Sequence, residues 1–145
     1  MESRKVTLPT FLDTSYVLAL VNKRDKFHEC ASATSALVTP PFITTEAVLI
    51  EIGNALSRSA WRSVGVSTLN HLRHSPEIQV VPVDPGLFDR AVALYSSRMD
   101  KEWGVTDCIS FTVMQERGLT QVLTTDRHFE QAGFQNRLIN CRTAR

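Results

Sequence analysis

Four carboxylates stand in segments otherwise fit for a hydrophobic core. Asp13 closes the apolar run Thr10-Phe11-Leu12, and Glu51 interrupts Val48-Leu49-Ile50 and Ile52. Asp107 lies in Val105-Thr106-Asp107-Cys108-Ile109, and Asp126 follows Val122-Leu123-Thr124-Thr125. An acid in such a place is costly to desolvate unless it is paired or bound to a metal. Four of them in separate segments point to one acidic pocket assembled from distant parts of the chain. The occupant that suits clustered carboxylates is a hard divalent cation, and the chemistry that suits such a cation is metal-assisted hydrolysis of phosphodiesters.

The elements that must carry these acids alternate between short β-like runs and longer helical ones. Strands are predicted over 7–13, 42–44, 78–83 and 121–124, with a last edge strand over 137–139. Helices are predicted over 15–21, 29–38, 46–59, 66–73, 87–98 and 106–117, with a final turn over 129–132. Thr45 is a candidate N-cap, Asp84-Pro85 is a cap followed by proline at the first helical position, Thr106 is taken as the cap of the helix to Arg117, and Gly118 ends that helix. Alternating strands and helices predict an α/β fold with a parallel sheet and helices on both faces. In such sheets sites form beyond the carboxyl ends of the strands. Asp13 and Asp126 stand at two predicted strand ends, and Asp107 stands in the first turn of a helix, where peptide dipoles favour negative charge.

Helical geometry separates the acids of one segment. At about 100° per residue, Val48, Leu49, Ile52, Ala55 and Leu56 form an apolar stripe and Glu51 falls at its border. Glu46 lies roughly 140° round from Glu51 and reads as a solvated acid favouring the helix dipole. The segment from Val105 to Arg117 is apolar on two sides, which predicts a helix central to the fold. Its Asp107 therefore needs a partner. A purely structural account of each acid, as a cap or a salt bridge, is tenable singly and strained for all four.

Bulk properties bound the rest. At 145 residues with 43% hydrophobic and 21% charged content, the chain is expected to be one domain, 1–145, of an ordinary globular protein. No run is long enough to span a bilayer, and Pro9 follows the basic start too soon for a signal-peptide apolar region, so a cytoplasmic protein is expected. The 16 basic and 15 acidic residues nearly balance. Setting the four acids aside leaves 11 against 16, and 12 of the bases are arginines suited to phosphate contacts. Arg58, Arg62 and Arg73 beyond the acidic helix, and Arg127 beside Asp126, are candidate contacts to nucleic-acid phosphates. Trp61 and Trp103 would stack on bases or pack in the core. Cys30, Cys108 and Cys141 are odd in number and lack a CxxC spacing, which argues against zinc and against a disulfide framework. The histidines carry no clear signal, and there is no nucleophile elbow, P-loop or glycine fingerprint.

At these residues the chain resembles the PIN-domain family of metal-dependent nucleases, and within it the VapC-type toxins of bacterial toxin–antitoxin pairs. The matching segments are Phe11-Leu12-Asp13-Thr14-Ser15, Val48 to Leu56 around Glu51, Thr106 to Phe111 with Asp107, and Leu123 to Phe129 followed by Ala132-Gly133-Phe134. They run in the family's order over about Phe11 to Ile139. Gly104 is a departure, since a serine often stands there. The resemblance implies a three-layer α/β/α fold with a central parallel sheet of four to five short strands. It also implies magnesium or manganese held by Asp13, Asp107 and Asp126, with Glu51 holding or deprotonating the attacking water. Ser15 and Thr106 would hydrogen-bond the acids or the water. The activity implied is endoribonuclease action on structured RNA, in a protein that is frequently a homodimer and is blocked by a small antitoxin. Two other readings stay open: a nuclease acting on DNA, and a non-catalytic binding module whose acids meet a partner's arginines.

Overall fold

The computed structural model describes residues 7–139. Its centre is a five-stranded, wholly parallel sheet with helices on both faces, a three-layer α/β/α arrangement. The strands are β1 (Thr10–Leu12), β2 (Phe42–Thr45), β3 (Ile78–Val81), β4 (Gln121–Leu123) and β5 (Gln135–Asn136). The helices are α1 (Thr14–Val21), α2 (His28–Ser35), α3 (Glu46–Ala55), α4 (Arg62–His74), α5 (Pro85–Ser97), α6 (Val105–Glu116) and α7 (His128–Gln131).

Strand order is β3-β2-β1-β4-β5. The chain winds outward from β1 to β3, then returns to the other side of β1 with β4. The reversal therefore falls between β1 and β4, where Phe11 is in register with Val122 and Leu12 with Leu123. Crevices of parallel sheets open at such a reversal, beyond the carboxyl ends of the strands. Thr10, Phe11 and Leu12 are all buried, as a central strand covered on both faces requires.

Helix α6 is buried continuously from Cys108 to Met114, which matches its two-sided apolar sequence. Phe111 at its middle packs edge-on against Phe129 of α7 (ring centroids 4.9 Å apart) and against Trp103 (5.0 Å). Phe11 of β1 completes the group at 6.0 Å from Phe129. Trp103 is thus a core residue, with its indole N–H donated to Gln131 Oε1 at 3.0 Å.

Several boundaries differ from the sequence expectation, each for a local reason. Helix α3 stops at Ala55 rather than Ser59, because Leu56 turns into the core and α4 crosses immediately behind it. A Cβ on Gly65 would sit 3.1 Å from the Leu56 Cβ and 3.2 Å from its carbonyl oxygen, so a larger residue would have to push this close crossing apart by a few tenths of an ångström. Helix α4 begins at Arg62, ahead of the expected 66–73, and runs through the glycine. Glu46 does more than favour a dipole, since its Oε1 accepts the Val83 N–H at 2.7 Å and ties the end of β3 to the start of α3. Helix α5 starts as expected, with Asp84 accepting the Leu87 N–H at 2.8 Å ahead of Pro85.

The cap of α6 is Gly104, not Thr106. Asp107 reaches back to accept the Gly104 N–H at 3.1 Å, so the acid closes the helix start itself. The edge strand lies at Gln135–Asn136 rather than 137–139, because Asn136 binds both the N–H and the C=O of Thr124. Cys108 is buried and free, as a small core residue should be, whereas Cys30 is disulfide-bonded, contrary to expectation. Cys141 lies outside the described residues.

Candidate active site

The four acids of the sequence line one open cavity of about 440 Å³ at the β1/β4 reversal, together with Thr14, Ser15 and Asn54. Asp13 leaves the end of β1 and Asp126 follows the end of β4. Glu51 comes from α3 and Asp107 from the first turn of α6. Among the described residues, no lysine or arginine pairs with any of these acids.

Asp13 is the buried member, 5% exposed. It stands at the N-cap position of α1, yet its side chain makes no capping bond. Its Oδ2 accepts hydroxyls from Thr124 at 2.7 Å and Ser15 at 2.8 Å, and Oδ1 receives neither. Burial raises its pKa to about 6; the two hydroxyl bonds oppose the rise, and the charge of Asp107 adds to it. Crowded acids are expected to produce such a shift by repulsion, and here desolvation is the larger cause.

The hydroxyls form a small web. Ser15 Oγ lies 3.0 Å from Thr124 Oγ1 and accepts the Thr125 N–H at 2.9 Å. Thr124 Oγ1 accepts the Asp126 N–H at 3.0 Å. Thr124 thus links the first acid to the backbone of the last. We predict that Thr124→Val, which keeps the shape and removes the hydroxyl, orphans the Asp126 amide and lowers stability by about 1–3 kcal/mol in urea unfolding. An unchanged midpoint would show that water replaces both bonds.

Glu51 is exposed on α3, and its Oε1 accepts the Thr14 hydroxyl at 2.6 Å. Asp107 accepts the Gly104 N–H and faces His128 through the same oxygen, Oδ2, 2.9 Å from the imidazole Nδ1. Asp126 accepts the His128 N–H on Oδ1 at 2.9 Å and places Oδ2 3.3 Å from Nδ1. Asp107 and Asp126 therefore each do a local structural job while facing the cavity.

Thr14, Thr124 and His128 were not singled out from sequence. Ser15 lies beside Asp13 as expected. Thr106 supplies only its carbonyl, to the Ser110 hydroxyl, among the recorded bonds. Of the arginines, Arg62 is engaged by the Ser57 carbonyl at 2.7 and 3.0 Å and closes the end of α3, while Arg58 and Arg127 are exposed. The donor set fits a hard divalent cation: carboxylate oxygens dominate, and oxygens of Asp107 and Asp126 lie within 4.8 Å of each other.

Carboxylates gathered over the reversal of a parallel sheet place the molecule among hydrolases of phosphodiester bonds. Residues 10–135 match the PIN domain, and the chain belongs to that family of nucleases. Its relatives are of the VapC type. The 23S rRNA-specific endonuclease VapC20 of Mycobacterium tuberculosis is 30% identical over 124 residues, covering 86% of this chain and 94% of that protein. The crystal structure of VapC20, described as a Sarcin-Ricin loop cleaving toxin, matches with a TM-score of 0.81 at 28% identity, over 87% of this chain and 96% of that one. FitAcB from Neisseria gonorrhoeae shares the fold at 16% identity, with a TM-score of 0.62 over 88% and 95% of the two chains. No helix among the described residues is long and apolar enough to cross a membrane.

Proposed function

We propose that this protein is a magnesium- or manganese-dependent endoribonuclease that cuts a structured RNA of the ribosome, acting as the toxin of a toxin–antitoxin pair. The observation that carries the reading is the meeting of four acids from four elements in one cavity, in a chain 30% identical to a 23S rRNA endonuclease over most of its length.

Asp13 and Asp107 are the main metal carboxylates in this reading, with Asp126 binding directly or through a water. The cation, when bound, would neutralise charge on the scissile phosphate and make a water acidic enough to attack at neutral pH. Ser15 and Thr124 hold Asp13 in one orientation. Glu51, fixed through Oε1 by Thr14, keeps its second oxygen to accept the proton of the attacking water. Water oxygen then bonds to phosphorus as a P–O bond of the backbone breaks. Arg58 and Arg127 are exposed cations available to flanking phosphates, and Arg62 is the weaker candidate because its guanidinium is engaged. A small antitoxin and a homodimeric state complete the proposal, and a toxin–antitoxin complex from Klebsiella pneumoniae shares this fold.

The test is cleavage of ribosomal RNA by purified protein with magnesium, with manganese and with EDTA. Metal-dependent cuts at a few positions are expected, together with a melting temperature that rises with the metal and falls back with EDTA. Cleavage that survives EDTA would sink the metal assignment. Cleavage of duplex DNA in preference to RNA would move the substrate.

A further inference from the structure

His128 is an imidazole in a site whose chemistry is otherwise written in oxygen. Its position is not accidental to the turn. Phe129, the next residue, is fully buried against Phe11 and Phe111, which fixes the start of α7 against β1 and α6. The His128 N–H is donated to Asp126 Oδ1, and its Nδ1 lies 2.9 Å from Asp107 Oδ2 and 3.3 Å from Asp126 Oδ2. One nitrogen thus faces one oxygen from each of two acids that come from different elements, 19 positions apart in the sequence. Between two carboxylate oxygens it can only be the hydrogen-bond donor. Asp107 Oδ2 already accepts the Gly104 N–H, so its rotation is restrained from two sides.

We propose that His128 is a positioning residue: its Nδ1–H clamps Asp107 and Asp126 together and keeps Asp107 Oδ1 and the remaining lone pairs of the Asp126 carboxylate turned to the cavity where a divalent cation would bind, without itself binding the cation. The inference rests on the metal-dependent reading above. Two anions brought this close repel, and a donor shared between them offsets the repulsion and removes the side-chain freedom that metal binding would otherwise have to remove. Partners of metal ligands act in this way, and losing one typically weakens metal affinity about 10–100-fold.

Side-chain geometry supplies the test. An asparagine amide places its N–H near the position of Nδ1, whereas a glutamine amide places it near Nε2. Full-length wild type, His128→Asn, His128→Gln and Asp13→Asn would be titrated with Mn²⁺ alone, with no RNA, following the signal of free Mn²⁺ by electron paramagnetic resonance. His128→Gln should bind Mn²⁺ roughly 10–100-fold more weakly, and His128→Asn should lie nearer the wild type than the glutamine variant does. Pulsed spectra of the wild-type Mn²⁺ complex should show no directly coordinated nitrogen. Wild-type affinity in His128→Gln would overturn the clamp, and so would a coordinated nitrogen, which would make His128 a ligand. The pulsed spectrum needs no variant and decides that point even where glutamine prevents folding. Equal Mn²⁺ binding by wild type and Asp13→Asn would instead overturn the metal reading itself, and the clamp with it.

Discussion

Asp13→Asn should abolish RNA cleavage and, in the absence of metal, make the protein more stable above pH 6. The two effects have one origin. Asp13 is buried, and its carboxyl is raised from an ordinary 3.8 to about 6 because burial disfavours the charged form. The folded protein therefore keeps the Asp13 proton up to about pH 6, while the unfolded chain releases it near pH 3.8. Between these values, rising pH favours the unfolded chain. Above the folded-state value the full penalty stands, roughly 3 kcal/mol for a shift of this size. Below the unfolded-state value both states are protonated and the penalty vanishes.

Asparagine removes the charge and keeps an oxygen to accept the Ser15 and Thr124 hydroxyls. In EDTA at pH 8 the variant should melt roughly 6–12 °C above the wild type, a gain that disappears below about pH 4. Saturating magnesium should close the gap from the wild-type side, because only the carboxylate gains a counter-charge. Cleavage should fall by more than the ~100-fold typical of losing an outer partner of a metal site. Equal melting temperatures in EDTA at pH 8 would mean that the Asp13 carboxylate is solvated well enough to carry no penalty.

Phe129→Ala should cost about 3–5 kcal/mol of stability in urea unfolding, the usual loss for a fully buried aromatic ring. It removes one edge-to-face partner of Phe111 and the contact with Phe11, and it leaves a cavity between β1 and α6. A second loss should accompany the first. Asp126 and His128 lie within three residues of the ring on the same turn, and Phe129 is the buried aromatic that packs that turn against β1 and α6. The stabilisation by added Mn²⁺ should therefore shrink well beyond what lower stability alone would produce. Phe129→Leu, which keeps much of the volume, should cost less and retain the Mn²⁺ response. An alanine variant that is destabilised yet keeps the full response would show that the backbone bonds of Asp126 and His128 hold the turn without the ring.

The four acids were legible because apolar neighbours make a carboxylate conspicuous. Asp13 and Asp107 announce themselves by the residues beside them, and the alternation of strands with helices identifies a parallel sheet whose strand ends carry chemistry. Helix starts with a strong local code, such as Asp84-Pro85, were legible for the same reason: the interactions that form them span three or four residues. Strand order was not. It depends on which apolar faces bury each other across the whole chain, and it alone puts β4 beside β1 and brings Asp126 to Asp13. The hydroxyls of Thr14 and Thr124 carry no signature in sequence, since a threonine is unremarkable in any setting. Thr124 meets Asp13 across 111 positions, a contact that folding creates and no local pattern encodes. His128 lies in polar surroundings in the sequence and carries no signal there, and the burial of Phe129 against β1 and α6 places its ring beside the two aspartates. Sequence by itself thus determined which charged groups would meet in the cavity. Tertiary structure decided which neutral neighbours orient them, because a charge in an apolar run is a local anomaly and a hydrogen-bond partner is a fact of packing.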